Sequence, residues 1–279
     1  MRRFSADYLA DTRAGLWADR AALAPLSLDD RTQVLDAGAG TGAFARVLRE
    51  ESPAEVVALD ADRSLLTHAR ASADAGSHGD GPHPVVVGDA TRLPVRAGAF
   101  DLVAAQALLV NLPDPAAAVR EFARTSRDLV AVVEPDNASV GVDSTADGEA
   151  ALDRRAREAY LAGAATDLAP GDRVRELFEA AGLAAVATRR HHHEKRVEPP
   201  YDERAVRAAR RKADGTALDG LAGPLRRSLG DEGFERLRDE WRAVGRETVA
   251  QMGDGVYRRA EVVPFDVTVG RVREEMRFR

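Results

Sequence analysis

A chain of 279 residues, 44% hydrophobic and 31% charged, can bury the core of one large α/β domain with an elaborated cap, and no apolar run reaches the ~20 residues that a membrane-spanning helix needs. The absence of cysteine excludes disulfides, thiolate nucleophiles, iron–sulfur clusters and cysteine-ligated zinc. A formal net charge of -6 argues against a large nucleic-acid substrate, and the near-absence of lysine, with only Lys195 and Lys212, reflects a compositional bias toward arginine.

In the first thirty residues, Phe4, Tyr8, Leu9, Leu16, Trp17 and Leu23 recur at helical spacing and predict one or two amphipathic helices ahead of the first strand. Arg2 and Arg3 are followed by acidic residues where an export signal needs an apolar stretch, so a cytoplasmic location is expected. TQVLDAGAGTGAFARVLREE then reads as a strand at 34–36, a glycine turn and a helix over about 42–50. AEVVALDAD predicts a second strand with an acidic tip, followed by a helix over about 62–73. A Gly/His/Asp/Pro loop leads into the strand PVVVGDA, AFDLVAAQ gives a fourth strand, DPAAAVREFART a helix and DLVAVVEPD a fifth strand. Short apolar strands alternating with helices predict right-handed crossovers and a parallel sheet covered on both faces, a doubly wound α/β fold.

Beyond Glu134 the rhythm changes. Helices are predicted over about 147–163 and 171–181, the second ending at Gly182, before AAVATRRHHHEKRV, which alternates like an exposed edge strand. The charged stretch 200–251 has a helical period, broken at Gly215, Gly220, Gly223, Pro224 and Gly230. VVPFDVTVGRV at 262–272 is a final strand, expected to pair antiparallel with the one at 183–197. The resulting organisation is an N-terminal helical lid at 1–30, an α/β domain at 31–199 and 261–279, and a helical insertion at 200–260.

The strongest chemical signal is Asp36-Ala37-Gly38-Ala39-Gly40-Thr41-Gly42 directly after an apolar strand. Alternating glycines allow a sharp turn and leave no Cβ to block a ligand, while the following helix aims its N-terminal N–H groups at the site. Gly38, Gly40 and Ala43 also satisfy the G-x-G-x-x-G/A dinucleotide pattern, so the glycines alone leave a nicotinamide cofactor open. Asp60, about 20 residues further on, can accept both ribose hydroxyl protons in either case. Asp89 and Ala90 close the third strand, where a carboxylate and a backbone N–H can read an adenine edge.

Taken together, residues 34–134 resemble a class I S-adenosylmethionine-dependent methyltransferase of the small-molecule and quinone type. VLDAGAGTG resembles the family's first motif, VVALDAD its ribose-binding acidic motif, VVVGDATRLPV its adenine-binding segment, and FDLVAAQALLVNLPDPAAAVREFART with the strand ending in EPD its fourth and fifth motifs. The resemblance implies a Rossmann-like, mostly parallel seven-stranded sheet with an antiparallel last strand. It also implies a cofactor site in which Asp36, Gly38, Ala39, Gly40 and Gly42 serve the methionine end, Asp60 and Ala61 the ribose, and Asp89 and Ala90 the adenine, with Gln106 and Ala107 bordering the sulfonium. Asn111 stands where related sequences often carry a histidine, so no catalytic role is carried over to it.

The implied activity is in-line transfer of a methyl group from S-adenosylmethionine to a small or medium organic acceptor, leaving S-adenosylhomocysteine. Two alternatives stay open: an NAD-dependent oxidoreductase, which lacks a Tyr-x-x-x-Lys pair here, and a module that binds S-adenosylmethionine without transferring its methyl. Glu134, Asp136, Tyr8, Tyr160, Tyr201 and the run His191, His192, His193 are candidate bases. Side chains alternate along a strand, so at most His191 and His193 could share a ligand, and a solvated edge strand is expected rather than a metal site. The acceptor, the general base and the oligomeric state are not legible in the residues.

Overall fold

The apolar runs of the sequence become β1 (Gln33–Ala37), β2 (Glu55–Asp60), β3 (Val85–Val87), β4 (Phe100–Gln106), β5 (Ser126–Pro135), β6 (Gly141–Ser144), β7 (Ala184–Val197) and β8 (Arg259–Arg271). The helices are α1 (Ala43–Glu50), α2 (Arg63–Ala73), α3 (Pro115–Thr125), α4 (Glu149–Ala162), α5 (Arg173–Ala180), α6 (Glu203–Asp214) and α7 (Ala222–Gly253). The computed structural model describes residues 15–73 and 84–273, and the chain forms two compact units. One holds the chain up to Pro135, Pro170–His191 and the chain from Phe265; the other holds Asp136–Ala169 and His192–Pro264.

In the first unit β1, β2, β3, β4 and β5 run parallel in the order β3-β2-β1-β4-β5. The second half of β8 pairs antiparallel with β5, from Leu129↔Arg271 to Pro135↔Phe265, and β7 pairs with β8, giving this unit seven strands. Every residue of β4 is buried, as a strand covered by helices on both faces requires. Leu35, Leu59, Val103, Val130, Phe122 and Phe178 form its core, each buried aromatic contributing about 1.5–3 kcal/mol of hydrophobic stabilisation. Asp114 caps α3 by accepting from the Ala117 N–H at 2.9 Å, with Pro115 in the first turn where its missing N–H does no harm. Because β1 lies between β2 and β4, the chain reverses its winding direction there, and in open α/β sheets ligands bind outside the carboxyl ends of the strands at such a switch point.

The second unit has its own core of Leu152, Ala156, Leu218, Leu225, Phe234 and Leu237, contributed by α4, α7 and the 3-10 segment Thr216–Leu221. Here β6 pairs antiparallel with the first half of β8, from Gly141↔Val262 to Ser144↔Arg259. β6 was not expected from the sequence, where four residues of mixed character carry little strand signal. Gly215 ends α6 at φ +84 and Gly230 interrupts α7 at φ 71, ψ 173, as the glycine breaks predicted. Gly223 and Pro224 instead fall in the first turn of α7, where proline is tolerated.

The predicted N-terminal helices are only partly within view, since residues 1–14 lie outside the described part. From Gly15 onward the chain forms a turn and two 3-10 segments, Arg20–Leu26 and Leu28–Asp30, rather than an amphipathic α-helix. Pro25 supplies the reason: it has no N–H to extend an α-helical ladder.

Candidate functional site

Three strand tips meet at the carboxyl edge of the first unit and are stitched together by backbone hydrogen bonds. The N–H groups of Gly38 and Ala39 donate to the Leu59 carbonyl at 2.7 and 2.9 Å, joining the end of β1 to β2. The Gly88 N–H donates to the Asp60 carbonyl at 3.0 Å, joining β2 to the residues after β3. The Asp60 carboxylate completes the link: Oδ2 accepts from the Gly40 N–H and Oδ1 from the Asp62 N–H, both at 2.8 Å. Gly38, Asp60 and Asp89, read from sequence as the ends of three strands, therefore stand side by side.

Gly38, Gly40 and Gly42 have φ values of 74, 56 and 78, the left-handed region in which a Cβ is strained. At two of them the glycine has a further reason that differs from the one expected. A Cβ at Gly38 would lie 2.6 Å from the Leu108 side chain, and one at Gly42 would lie 2.8 Å from the Ala69 Cβ. These two glycines thus allow close packing of the turn against its own protein, not only clearance for a ligand.

The remaining predicted residues fall around the same edge. Asp36 is fully buried in β1, level with Ala58 of β2 and Ala104 of β4. Ala61 is exposed just after β2. Asp89 is exposed, with Oδ1 accepting from both the backbone N–H and the hydroxyl of Thr91 at 2.8 Å, and Ala90 is buried behind it. The segment after Ala90 is pinned by α3: Glu121 accepts from the Leu93 N–H at 2.8 Å while Arg124 donates to the Leu93 and Val95 carbonyls. The hydrogen bond from Arg124 holds the Glu121 carboxyl below the usual carboxylate range.

Gln106 ends β4 and is 2% exposed. Its Oε1 accepts from the Trp17 indole N–H at 3.4 Å, and its Nε2 is buried with no acceptor among the described residues. Ala107 follows at φ 48, a left-handed conformation that alanine rarely adopts. The turn is held by its neighbours: Ala107 N–H donates to the Val133 carbonyl at 2.8 Å, and Asn111 Nδ2 donates to the Ala107 carbonyl at 2.8 Å.

Glu134, a candidate base from sequence, proves to be part of this scaffold. Its Oε1 accepts from the N–H groups of Leu108 and Leu109 at 3.0 and 2.8 Å, and its Oε2 from that of Val110 at 3.3 Å. A buried carboxylate holding three backbone donors is committed to shaping the turn after β4. Among the other candidates, Asp136 caps the short turn at 137–139, Tyr201 donates to the Tyr257 carbonyl, and Tyr160 packs on the second unit's core. Tyr8 lies outside the described residues. Along β7, His191 and His193 are half-buried and His192 exposed, the alternation a strand imposes. Among the described residues, no three His, Cys, Asp or Glu side chains gather as metal ligands would.

Trp17 was legible only as one of several N-terminal aromatics. It stacks on Phe44 of α1 with centroids 4.9 Å apart and planes 13° from parallel, which places its N–H at Gln106. No spacing rule ties residue 17 to residue 106.

This arrangement fits an elongated ligand with hydroxyl and amine donors toward β2 and β3. Asp60 uses one acceptor position per oxygen on the backbone, leaving capacity for two hydroxyl protons, and the orphaned Gln106 Nε2 calls for an acceptor at the β4 end.

The known proteins agree with this geometry. The family model described as a methyltransferase domain matches residues 35–129. The demethylmenaquinone methyltransferase of Mycolicibacterium vanbaalenii is 40% identical over 108 residues, which are 39% of this chain and 43% of that protein, so the chain matches under half of its relative's length. Among solved structures, the YcgJ protein of Bacillus subtilis superposes with a TM-score of 0.52 at 16% identity, covering 91% of this chain and 99% of that one. A candidate methyltransferase from Bacillus halodurans gives 0.51 at 18% identity, covering 90% and 98%. These two likenesses establish the fold. The domain match covers the stretch that holds the glycine turn and the strand tips.

Proposed function

We propose, from the premise that this chain belongs to the class I S-adenosylmethionine-dependent methyltransferases, that it transfers the methyl group of S-adenosylmethionine to a small or medium organic acceptor and releases S-adenosylhomocysteine. The observation that carries the reading is the row of joined tips after β1, β2 and β3, with Asp60 linked to the glycine turn at its centre.

On this reading Asp89 and Ala90 hold the adenine, Asp60 and Ala61 the ribose, and Asp36, Gly38, Ala39, Gly40 and Gly42 the methionine end, with Gln106 and Ala107 beside the sulfonium. When bound, the cofactor supplies an already activated methyl group, so no covalent nucleophile of the protein is needed. The contribution of these residues is to orient the donor and exclude water, so that an acceptor atom lies in line with the S–CH3 bond. Glu134 is left out of proton transfer, because both of its oxygens are engaged by backbone N–H donors. No helix among the described residues is long and apolar enough to cross a membrane, and the cytoplasm is the proposed location.

A thermal shift with S-adenosylmethionine, S-adenosylhomocysteine and NAD tests the donor assignment. A ligand at 100 times its dissociation constant adds about 2.7 kcal/mol, a visible rise in the midpoint. Stabilisation by NAD alone would overturn the reading. Radiolabelled S-adenosylmethionine offered with a cell extract then locates the acceptor: label in the small organic pool supports it, label only in RNA contradicts the acceptor class, and binding without transfer to any pool supports the non-catalytic module.

A further inference from the structure

We propose that the outer side of α6 is a docking surface for an anionic lipid bilayer, on which Arg204, Arg207, Arg210 and Arg211 meet the headgroups while Val249 and Val256 enter the apolar boundary. The proposal is independent of the donor reading.

From Arg204 to Lys212 the chain places five cations and no anion, within a protein whose formal net charge is -6. The fold sorts them. Lys212 turns inward to Glu149. The inner side of α6 rests on α7: Ala209 is buried, and a Cβ at Gly245 of α7 would lie 2.3 Å from the Ala213 backbone nitrogen. Arg204, Arg207 and Arg211, spaced i, i+3 and i+7, form a stripe on the opposite side with Arg210 at its margin, and all four are exposed.

Nothing within α6 itself asks for this stripe. Arg204 stands in the first turn, where the helix dipole disfavours a cation, and Arg207 has like charges three and four residues away. Arg207 and Arg210 have no hydrogen bond or ion pair among the described residues, and Arg211 donates to the Thr216 carbonyl at 3.4 Å. Elsewhere in this unit Arg155, Arg226, Arg236 and Arg242 each stand beside an acid, as on an ordinary solvated helix. Cations kept together against their own repulsion point to a polyanion outside the chain.

The kind of polyanion follows from what accompanies the arginines. α7 runs antiparallel to α6, with Gly245 beside Ala213 and Arg242 Nε donating to the Asp214 carbonyl at 3.1 Å, so the end of α7 passes the start of α6. Tyr201 Oη donates to the Tyr257 carbonyl at 3.0 Å, which brings the loop after α7 to the same place. Val249 and Val256, 39% and 54% exposed, therefore stand toward the Arg204 end of the stripe; they are two of the four large apolar side chains exposed among the described residues. Cations flanked by exposed apolar side chains suit a boundary of headgroups and acyl chains. A nucleic acid offers the valines nothing, and from Arg204 to Arg211 every exposed side chain is arginine or alanine, with no amide or hydroxyl to read a base edge. Nor does α6 carry an aromatic side chain of the kind that anchors a protein interface. Screening over ~8 Å at physiological salt keeps acids farther off in the chain from cancelling the stripe.

Co-sedimentation of the full chain with vesicles tests this, using phosphatidylcholine alone and phosphatidylcholine mixed equally with phosphatidylglycerol. The protein is expected to pellet with the mixed vesicles, to stay in solution with the neutral ones, and to be released at about 1 M salt, where screening shortens to ~3 Å. Arg207→Gln with Arg210→Gln is expected to weaken binding about twentyfold, roughly fivefold for each cation, while the urea midpoint holds or rises because two repelling charges are gone. Val256→Ser is expected to weaken binding about threefold. Equal pelleting with both vesicle types, no pelleting with either, or mixed-vesicle binding untouched by the arginine pair or by Val256→Ser would overturn the proposal. So would retention on duplex DNA or on poly-glutamate in place of the vesicles, which would move the stripe to a nucleic acid or an acidic protein.

Discussion

Asp60 accepts a 2.8 Å hydrogen bond from the backbone N–H of Gly40, so a carboxylate at the tip of one strand fixes the turn that leaves its neighbour. The same group accepts from Asp62 on its other oxygen. Asp60→Ala leaves both donors unpaired at a buried site and removes the proposed ribose ligand. Expected outcomes are a stability loss of about 1–3 kcal/mol in urea unfolding and a fall of tenfold or more in S-adenosylhomocysteine affinity by calorimetry. Asp60→Asn, which retains one acceptor oxygen, should fall between. An Asp60→Ala protein that binds the nucleoside as well as the parent would remove Asp60 from the site.

Glu134 offers a sharper separation of scaffold from chemistry. Glu134→Ala strands the N–H groups of Leu108, Leu109 and Val110 and releases the strained turn at Ala107. The expected cost is about 3 kcal/mol or more, read as a lowered urea midpoint at unchanged slope. Were Glu134 a base instead, the substitution would also lower the rate of methyl transfer and remove the acid limb of its pH profile.

These residues show what the sequence could and could not convey. The glycine turn and the strand tips at Asp60 and Asp89 were legible because each is a local pattern: an apolar run, then a residue type that the geometry of a strand end demands. The jobs of Glu134 and Trp17 were not. Glu134 bonds residues 24 to 26 positions away and Trp17 reaches 89 positions along the chain, so both depend on which strands become neighbours. The reasons for Gly38 and Gly42 were half legible for the same cause. Their turn conformation is local, whereas Leu108 and Ala69 filling the Cβ space is a tertiary fact. β6 escaped notice because its four residues hold their shape through pairing with β8 rather than through propensity.

Packing inside the second unit sets up a paired test on two glycines. A Cβ at Gly163, just past α4, would lie 1.9 Å from the Pro224 carbonyl oxygen in α7, a backbone atom that cannot rotate away. Gly220 has open space where its Cβ would be and no left-handed φ. Gly163→Ala is expected to destabilise by about 1–3 kcal/mol through overpacking, whereas Gly220→Ala should be neutral or stabilise by up to about 1 kcal/mol by restricting the unfolded chain. Equal urea midpoints for the two variants would show that α4 and α7 do not approach as described.

The last prediction concerns acid. Glu149 is 1% exposed and lies among Lys212, to which it is ion-paired, Ser144 Oγ at 2.5 Å, Tyr257 Oη at 2.9 Å and Arg259 Nε at 3.5 Å. Burial alone would raise its pKa, but the Lys212 charge and the hydrogen bonds outweigh it and hold the carboxyl below the usual glutamate value. Burial and the Glu149 charge push the Tyr257 phenol upward, so it stays a neutral donor to the carboxylate. A carboxyl with a depressed folded pKa binds fewer protons folded than unfolded. Its stabilisation is therefore complete above the unfolded pKa and lost as pH falls through the folded one. The parent protein should keep this contribution at neutral pH and lose it only in acid below the usual glutamate range. Lys212→Met removes the largest opposing influence and leaves burial dominant, so the Glu149 pKa should rise and the acid-unfolding midpoint, followed by circular dichroism, should move to higher pH. At neutral pH the variant should be less stable by about 3–5 kcal/mol, the cost of breaking a buried ion pair by removing one partner, and adding Glu149→Gln should recover much of it. An acid midpoint unmoved by Lys212→Met would mean that the pair does not couple, and that Tyr257 and Arg259 suffice to hold the carboxylate.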